Sequence, residues 1–494
     1  MGLEVDRAEF EDADYAQFAR RLGDSLDVLE ELLARPGFGE GPASIGAELE
    51  VSLVDADARP LFGNQRVLAD SVDPRLTYEL DRFNLESNLR HGPLAGRPFT
   101  ALRAECVDAF QEMQRAARGH GGRVAMIGIL PTLERGDLEG EDAMTESMRY
   151  RALSNSLRRI REKPFEIDIR GEDTLQLSCE TVAFEGAATS LQVHLRVSPG
   201  DFGRVYNGLQ LATPVVLAAS GNSPLFLGQR LWAETRIALF KQAVDARPAR
   251  GRERNPARVA FGDGWIGGAV ELFSANVANH PPLLPMLDEE DPRQAARQGL
   301  PRLRELRLHQ GTVWRWNRAI YDPAEGGHLR IELRSLPSGP TVTDMLASTA
   351  FHLGLGLAIA EAGEAWCAET DFEAVHRDFY RAAQHGPDAE LGWPAALGGA
   401  DQRRPAGALA TELAPLALRG LDAAGVERAD SEPLIVTFER RARTGRTGSA
   451  WQRRCLERAG AARPTREALA WMLERYLERS ESGEAVDSWD EPAP

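Results

Sequence analysis

Ile45-Gly-Ala-Glu48-Leu-Glu50-Val-Ser-Leu53 alternates apolar residues with polar ones, and three later stretches repeat the pattern. These are Phe83-Asn84-Leu-Glu86-Ser-Asn88-Leu-Arg90, Leu191-Gln-Val-His194-Leu-Arg196-Val197 and Leu329-Arg330-Ile-Glu332-Leu-Arg334. Side chains alternate across a strand, so Glu48 and Glu50 share one face while Leu49, Val51 and Leu53 share the other. The same count groups Asn84, Glu86, Asn88 and Arg90, then Gln192, His194 and Arg196, then Arg330, Glu332 and Arg334. If these strands join in one antiparallel sheet, its back is apolar and its front is a floor of carboxylates, imidazole and guanidinium. A polar face that only meets water needs no such set, because Thr, Ser, Gln and Lys serve there equally well. Carboxylates at this density repel one another unless cations lie between them. The pattern points to a metal-nucleotide site.

Composition sets outer bounds. The chain has 494 residues, 43% hydrophobic and 27% charged, as expected of an ordinary globular protein. A net charge of −17 argues against a general nucleic-acid binder. Lys occurs only at 163 and 241, so nearly all 58 basic residues are arginine, and a lone arginine carries little information. Cys106, Cys179, Cys367 and Cys455 are scattered without metal-ligand spacing and read as reduced thiols. The acidic N-terminus lacks the apolar core of a secretion signal, and no apolar run reaches the length of a membrane span. The expectation is a soluble, cytoplasmic protein, a monomer or homo-oligomer, with small-molecule partners and neither nucleic acid nor membrane.

Along the chain, a helix over 9–35 ends at Pro36-Gly37. Strands are expected at 44–54, around 60–69 and at 76–91, then a buried strand at 124–130 after a helix near 100–118. A helix over 144–161 leads to short strands near 165–169 and 174–179 and the strand at 189–197. Asp201 is positioned to cap a helix reaching 219, and 225–244 reads as helical. Residues 245–310, rich in Pro, Gly, Arg and Asp, predict an irregular excursion over the active face. Strands at 312–321 and 328–336 flank a wide hairpin loop at 322–327, and from Thr341 onward every pattern is helical. The expected organisation is an N-terminal helix (1–40), a catalytic domain (41–365), a helical C-terminal region (366–480) and a disordered acidic tail (481–494). The fold class is α+β.

Glu48 and Glu50 lie about 7 Å apart along one strand face, a spacing suited to two neighbouring hard cations. Gly46 beside them permits close approach of backbone or ligand. Glu79 and Glu86 are seven positions apart, which places them on opposite faces of any regular strand. Both reach one site only if a bend or bulge intervenes near 82–83, and Asp81 is the alternative if the bulge lies elsewhere. His194 shares its face with two polar residues, which suits a metal ligand or phosphate contact. Arg330 and Arg334 flank Glu332, pairing an acid for metal with cations for phosphate. No GxxxxGK[ST] loop, GxGxxG unit or GxSxG elbow is present, so neither a P-loop, a Rossmann cradle nor a serine nucleophile is indicated.

These pieces, together with Ser220-Gly-Asn-Ser-Pro-Leu-Phe226, resemble the glutamate–cysteine ligase family, in its second bacterial and plant group that includes carboxylate–amine ligases. The likeness covers roughly residues 40–365. It implies a glutamine-synthetase-like catalytic fold, a curved antiparallel sheet with helices packed on its back. It further implies that Glu48, Glu50, Glu79, Glu86, His194 and Glu332 hold two or three Mg²⁺ ions (or Mn²⁺) that bridge ATP phosphates. Arg334, with Arg330 beside it, would contact the transferring phosphoryl group. Asn222, Arg236 and Asn88 would lie near the nucleotide or the amino acid. The implied reaction phosphorylates the side-chain carboxylate of glutamate and releases the acylphosphate to an amine, cysteine first among the candidates. Another amine, a phosphoryl transferase without an amine step, or a non-catalytic nucleotide sensor remain as rivals.

Overall fold

A computed structural model describes residues 5–490 apart from 141, 162, 248–255, 400–401 and 461–463. The four alternating stretches do join one seven-stranded sheet. Its strands are β1 (Ser44–Val54), β2 (Leu76–Tyr78), β3 (Asn84–Pro93), β4 (Arg123–Ala125), β5 (Leu191–Val197), β6 (Asn317–Asp322) and β7 (His328–Leu333). Their spatial order is β6-β7-β5-β1-β3-β2, every neighbour antiparallel, with β4 beside the far end of β1. Leu49, Val51, Leu85, Val193, Leu195 and Ile331 are buried on the back face. There the helix Pro98–Arg118 packs against β1, β3 and β4 through Phe99, Leu102, Cys106 and Met113. Burying such side chains is what holds a one-faced sheet together.

The helical part is continuous with this core. Phe202–Ser220 packs on Val342–Glu361, which in turn meets Ala406–Ala423 and Arg428–Thr444. Backbones come very close here: a Cβ on Gly208 would lie 2.3 Å from the Gly356 carbonyl oxygen, and one on Gly420 2.0 Å from that of Gly354. Val342–Glu361 is long and apolar enough to cross a membrane, contrary to the expectation that no run is, but almost all of it is buried within this bundle.

Several expected elements take another form. The segment around 60–69 is the helix Asn64–Ala69, and only Arg123–Ala125 of 124–130 is strand. Of 225–244, a small hairpin (Leu225–Phe226 with Gln229–Arg230) precedes the helix Arg236–Ala243. The Asp201 carboxylate does not cap its helix; it binds Ser198 and Arg204 instead. Within 256–310 stand three helices, Ala269–Asn279, Pro292–Gln298 and Arg304–Gln310. The tail is not disordered through Asp490: the last helix runs to Ser482, and Val486 and Trp489 are buried, Trp489 packing edge-on to Trp451 and Tyr476. Acidic composition outweighed two apolar anchors in the sequence expectation; residues 491–494 lie outside the described ones.

Candidate active site

Register assembles the polar floor. Glu48 stands between Asn88 of β3 and Gln192 of β5, Glu50 lies opposite Glu86, and His194 lies opposite both Gly46 and Glu332. A bulge in β3 faces Gly46, where a Cβ would sit 3.2 Å from that of His91, so glycine does permit close backbone approach. The bulge turns Arg90 off the floor to an exposed ion pair with Glu105, 3.2 Å away.

The floor divides into two groups of different electrostatic character. In the first, ligating atoms of Glu48, His194 and Glu332 all lie within 4.8 Å of one another. His194 Nε2 is 3.3 Å from Glu48 Oε1 and 3.8 Å from Glu332 Oε1, yet neither ring nitrogen of this buried histidine makes a hydrogen bond. A buried imidazole without hydrogen bonds, facing two carboxylates, fits a divalent cation. Arg318 donates to Glu332 through Nε (2.5 Å) and Nη2 (2.9 Å), and Arg334 Nη1 lies 3.5 Å from Glu332 Oε1. Burial works to raise both acids, but His194 for Glu48 and the two arginines for Glu332 outweigh it and hold both below the usual carboxylate range.

The second group is Glu50, Glu79 and Glu86. Glu50 accepts from Ser190 N and Gln192 Nε2, both at 2.6 Å, and Glu86 accepts from Asn88 Nδ2 at 2.8 Å. Here burial dominates: Arg334 pulls Glu50 down but does not outweigh it, so Glu50 stays above its ordinary value. Burial, then Glu48 and Glu50, push Glu86 up to about 8, and burial with Glu86 and Glu50 raises Glu79 far more. Three acids forced toward neutrality define a place for hard cations, which would replace the protons. The odd Glu79–Glu86 offset is resolved by a bend, one of the two expected devices: the chain reverses there. Residues 79–83 turn between β2 and β3, with Thr77 opposite Glu86, and a hairpin reverses the parity that a continuous strand would keep. Glu79 lines the cavity, while Asp81 does not.

One prediction arises here. Glu86 holds its proton in the folded state above the pH at which the unfolded chain releases it. The metal-free protein therefore loses stability as pH rises from the ordinary carboxylate range through about 8. A cation that replaces this proton should raise Tm more at about pH 8 than at about pH 6. Thermal unfolding with and without Mg²⁺ checks this; a pH-independent increment would contradict it.

Over the floor lies a cavity of about 750 Å³. Its walls include Tyr78, Arg149, Tyr150, Glu185, Phe273, Arg307, Gln310, Trp314, Arg318, Arg330 and Arg334, so the stretch after 256 does cover the active face. Arg330 Nη2 pairs with Asp322 Oδ2 at 3.1 Å. Arg334 donates to Gln192 Oε1 and lies at the junction of the two acid groups. Two expected ligand contacts fall elsewhere. Asn222 is fully buried outside the cavity, donating to Ser338 O and Tyr476 Oη and accepting from Gln452 Nε2; it joins the C-terminal helices to the sheet. Arg236 is buried behind Arg334, paired with Glu234 at 3.1 Å and set over the Trp316 ring.

Arg318 and Glu185 are floor and wall residues that the sequence reading passed over. The spacing predicts a strand ending at 321, but pairing extends to Asp322 with His328, one residue inside the loop expected at 322–327. A one-residue slip changes faces, and the true register sets Arg318 opposite Glu332. Glu185 sits on the short helix Ala183–Gly186, where no periodicity could flag it.

Residues 44–470 match the glutamate–cysteine ligase family 2. Among solved structures, the chain is similar to a glutamate–cysteine ligase from Francisella tularensis in complex with AMP, with a TM-score of 0.52 and 11% identity over 92% of this chain and 91% of that one. It is also similar to a bifunctional glutathione synthetase from Pasteurella multocida, with a TM-score of 0.45 and 14% identity over 94% of this chain and 55% of the other. At such identity the first likeness speaks to fold alone. No curated protein sequence matches.

Proposed function

Since the chain belongs to glutamate–cysteine ligase family 2 and is thereby a carboxylate–amine ligase, we propose that it joins the γ-carboxylate of L-glutamate to the amine of L-cysteine. ATP is split to ADP through a γ-glutamyl phosphate. The observation that carries this reading is the convergence of Glu48, His194 and Glu332 beside a second acid trio, with Arg318 and Arg334 at the seam. Glu48, His194 and Glu332, with Glu50, Glu79 and Glu86, would hold Mg²⁺, which would supply charge neutralisation for the ATP phosphates. The chain's own residues orient and shield. Gln192 bridges Glu50 and Arg334, so the guanidinium stays fixed over the floor to meet the charge of the transferring phosphoryl group. Arg307, Gln310 and Trp314 wall the cavity against water, which would otherwise hydrolyse the acylphosphate.

Product analysis tests the reading. With glutamate and Mg-ATP, phosphate release is expected only when an amine is supplied, cysteine giving the highest kcat/KM in a panel. Release with another amine alone moves the specificity and keeps the chemistry. A stable phosphorylated product formed without amine would establish a phosphoryl transferase instead.

A further inference from the structure

Glu185 is a further ionisable side chain lining the cavity, and nothing in the chemistry above employs it. It lines the cavity, yet its carboxylate has no hydrogen-bond or ion-pair partner among the described residues. Directly behind it is a second unpaired acid. Asp81 is fully buried, and neither of its carboxylate oxygens makes a hydrogen bond. Its carboxylate rests on the backbone of Gly186, the residue after Glu185: a Cβ on Gly186 would lie 2.5 Å from Asp81 Cγ and 2.7 Å from each oxygen. Only glycine lets the acid press against this turn. Burial, with Glu50 adding and Arg334 opposing, keeps the Glu185 carboxyl above its ordinary value, at about 8.

The surroundings indicate what this corner takes. Tyr78 and Tyr150 line the same cavity, their rings edge to face with centroids 6.3 Å apart, and Tyr150 lies within electrostatic reach of Glu185. Aromatic faces beside a carboxylate suit an alkylammonium. A divalent metal wants several converging ligands, and Glu185 is not part of the cluster formed by Glu48, His194 and Glu332. Glu185 also lies within the field of Glu50 and Arg334, at the phosphoryl end of the cavity.

We propose that Glu185, backed by Asp81 and flanked by Tyr78 and Tyr150, docks the ammonium group of the amine substrate. This rests on the ligase reading. It adds that the enzyme selects amines that arrive charged, and it makes Glu185 the residue that selects them.

Steady-state kinetics with glutamate and Mg-ATP test it, using cysteine as the charged nucleophile and hydroxylamine as one that is uncharged at neutral pH. In Glu185→Gln the KM for cysteine should rise roughly tenfold to a hundredfold, the loss of one charge-assisted contact. The KM values for hydroxylamine and for glutamate should move less than about threefold, and Glu185→Asp should recover part of the cysteine affinity. Equal losses with both nucleophiles, or no change with either, would overturn the assignment while leaving the ligase reading intact. If wild type turns over with a charged amine other than cysteine, that amine takes its place. Wild-type protein inert toward every amine would overturn the ligase reading and this one with it.

Discussion

Replacing Glu48 by Gln is expected to lower kcat for Mg-ATP turnover by about a thousandfold, since a bound metal ion supplies several kcal/mol of charge stabilisation in the transition state. The substitution is close to isosteric and removes an anion from a position flanked by Asn88 and Gln192, both neutral. The fold should tolerate it with a modest fall in Tm, because His194 faces that carboxylate at 3.3 Å and favours its charged form. Glu332→Gln should lose as much activity but cost more stability. Arg318 and Arg334 both lean on that carboxylate, and neutralising it leaves two partly buried cations facing each other. Turnover, calorimetric Mg²⁺ titration and thermal unfolding separate the two effects. Unchanged turnover in a folded Glu48→Gln protein would rule out the metal floor.

The floor was legible in sequence because strand alternation is a local rule: one residue in two faces forward wherever the strand pairs. Glu48, Glu50, Glu86, His194 and Glu332 are therefore placed by period alone. Other placements rest on quantities that alternation does not encode. Whether Glu79 reaches Glu86 depends on a turn, and Arg318 depends on a register set one residue inside the expected loop. Asn222 and Arg236 were assigned through resemblance to a motif whose side chains turn inward to hold the C-terminal helices and Glu234. Glu185 lies in a four-residue helix between strands, where only tertiary packing shows that it meets the cavity.

The helical region shows how distant packing holds the catalytic strand, and it yields the largest expected stability effect. Asp344 and Arg441 form a buried ion pair, Nη1 to Oδ1 2.9 Å, each about 1% exposed. Asp344 also accepts from Thr341 Oγ1 at 2.8 Å and from the backbone N of Val486 at 3.0 Å, while Arg441 donates to the Asp344 carbonyl and to Ser348 Oγ. One carboxylate thus joins the start of Val342–Glu361, the helix Arg428–Thr444 and the C-terminal turn, eight residues after Leu336 and twelve after Glu332. Burial alone raises Asp344; Arg441 is the chief influence holding it down. Arg441→Met removes that influence and should cost about 3–5 kcal/mol, the range for stranding one charge of a buried pair. Adding Asp344→Asn to Arg441→Met removes the stranded charge while keeping an acceptor for Val486. The double variant should then be more stable than Arg441→Met alone, and the coupling follows from the double-mutant cycle in denaturant unfolding. Strictly additive losses would mean that the pair contributes packing and no charge coupling. If the charge pair acts only through stability, turnover per folded molecule should stay near wild type in both variants, because neither residue lines the cavity.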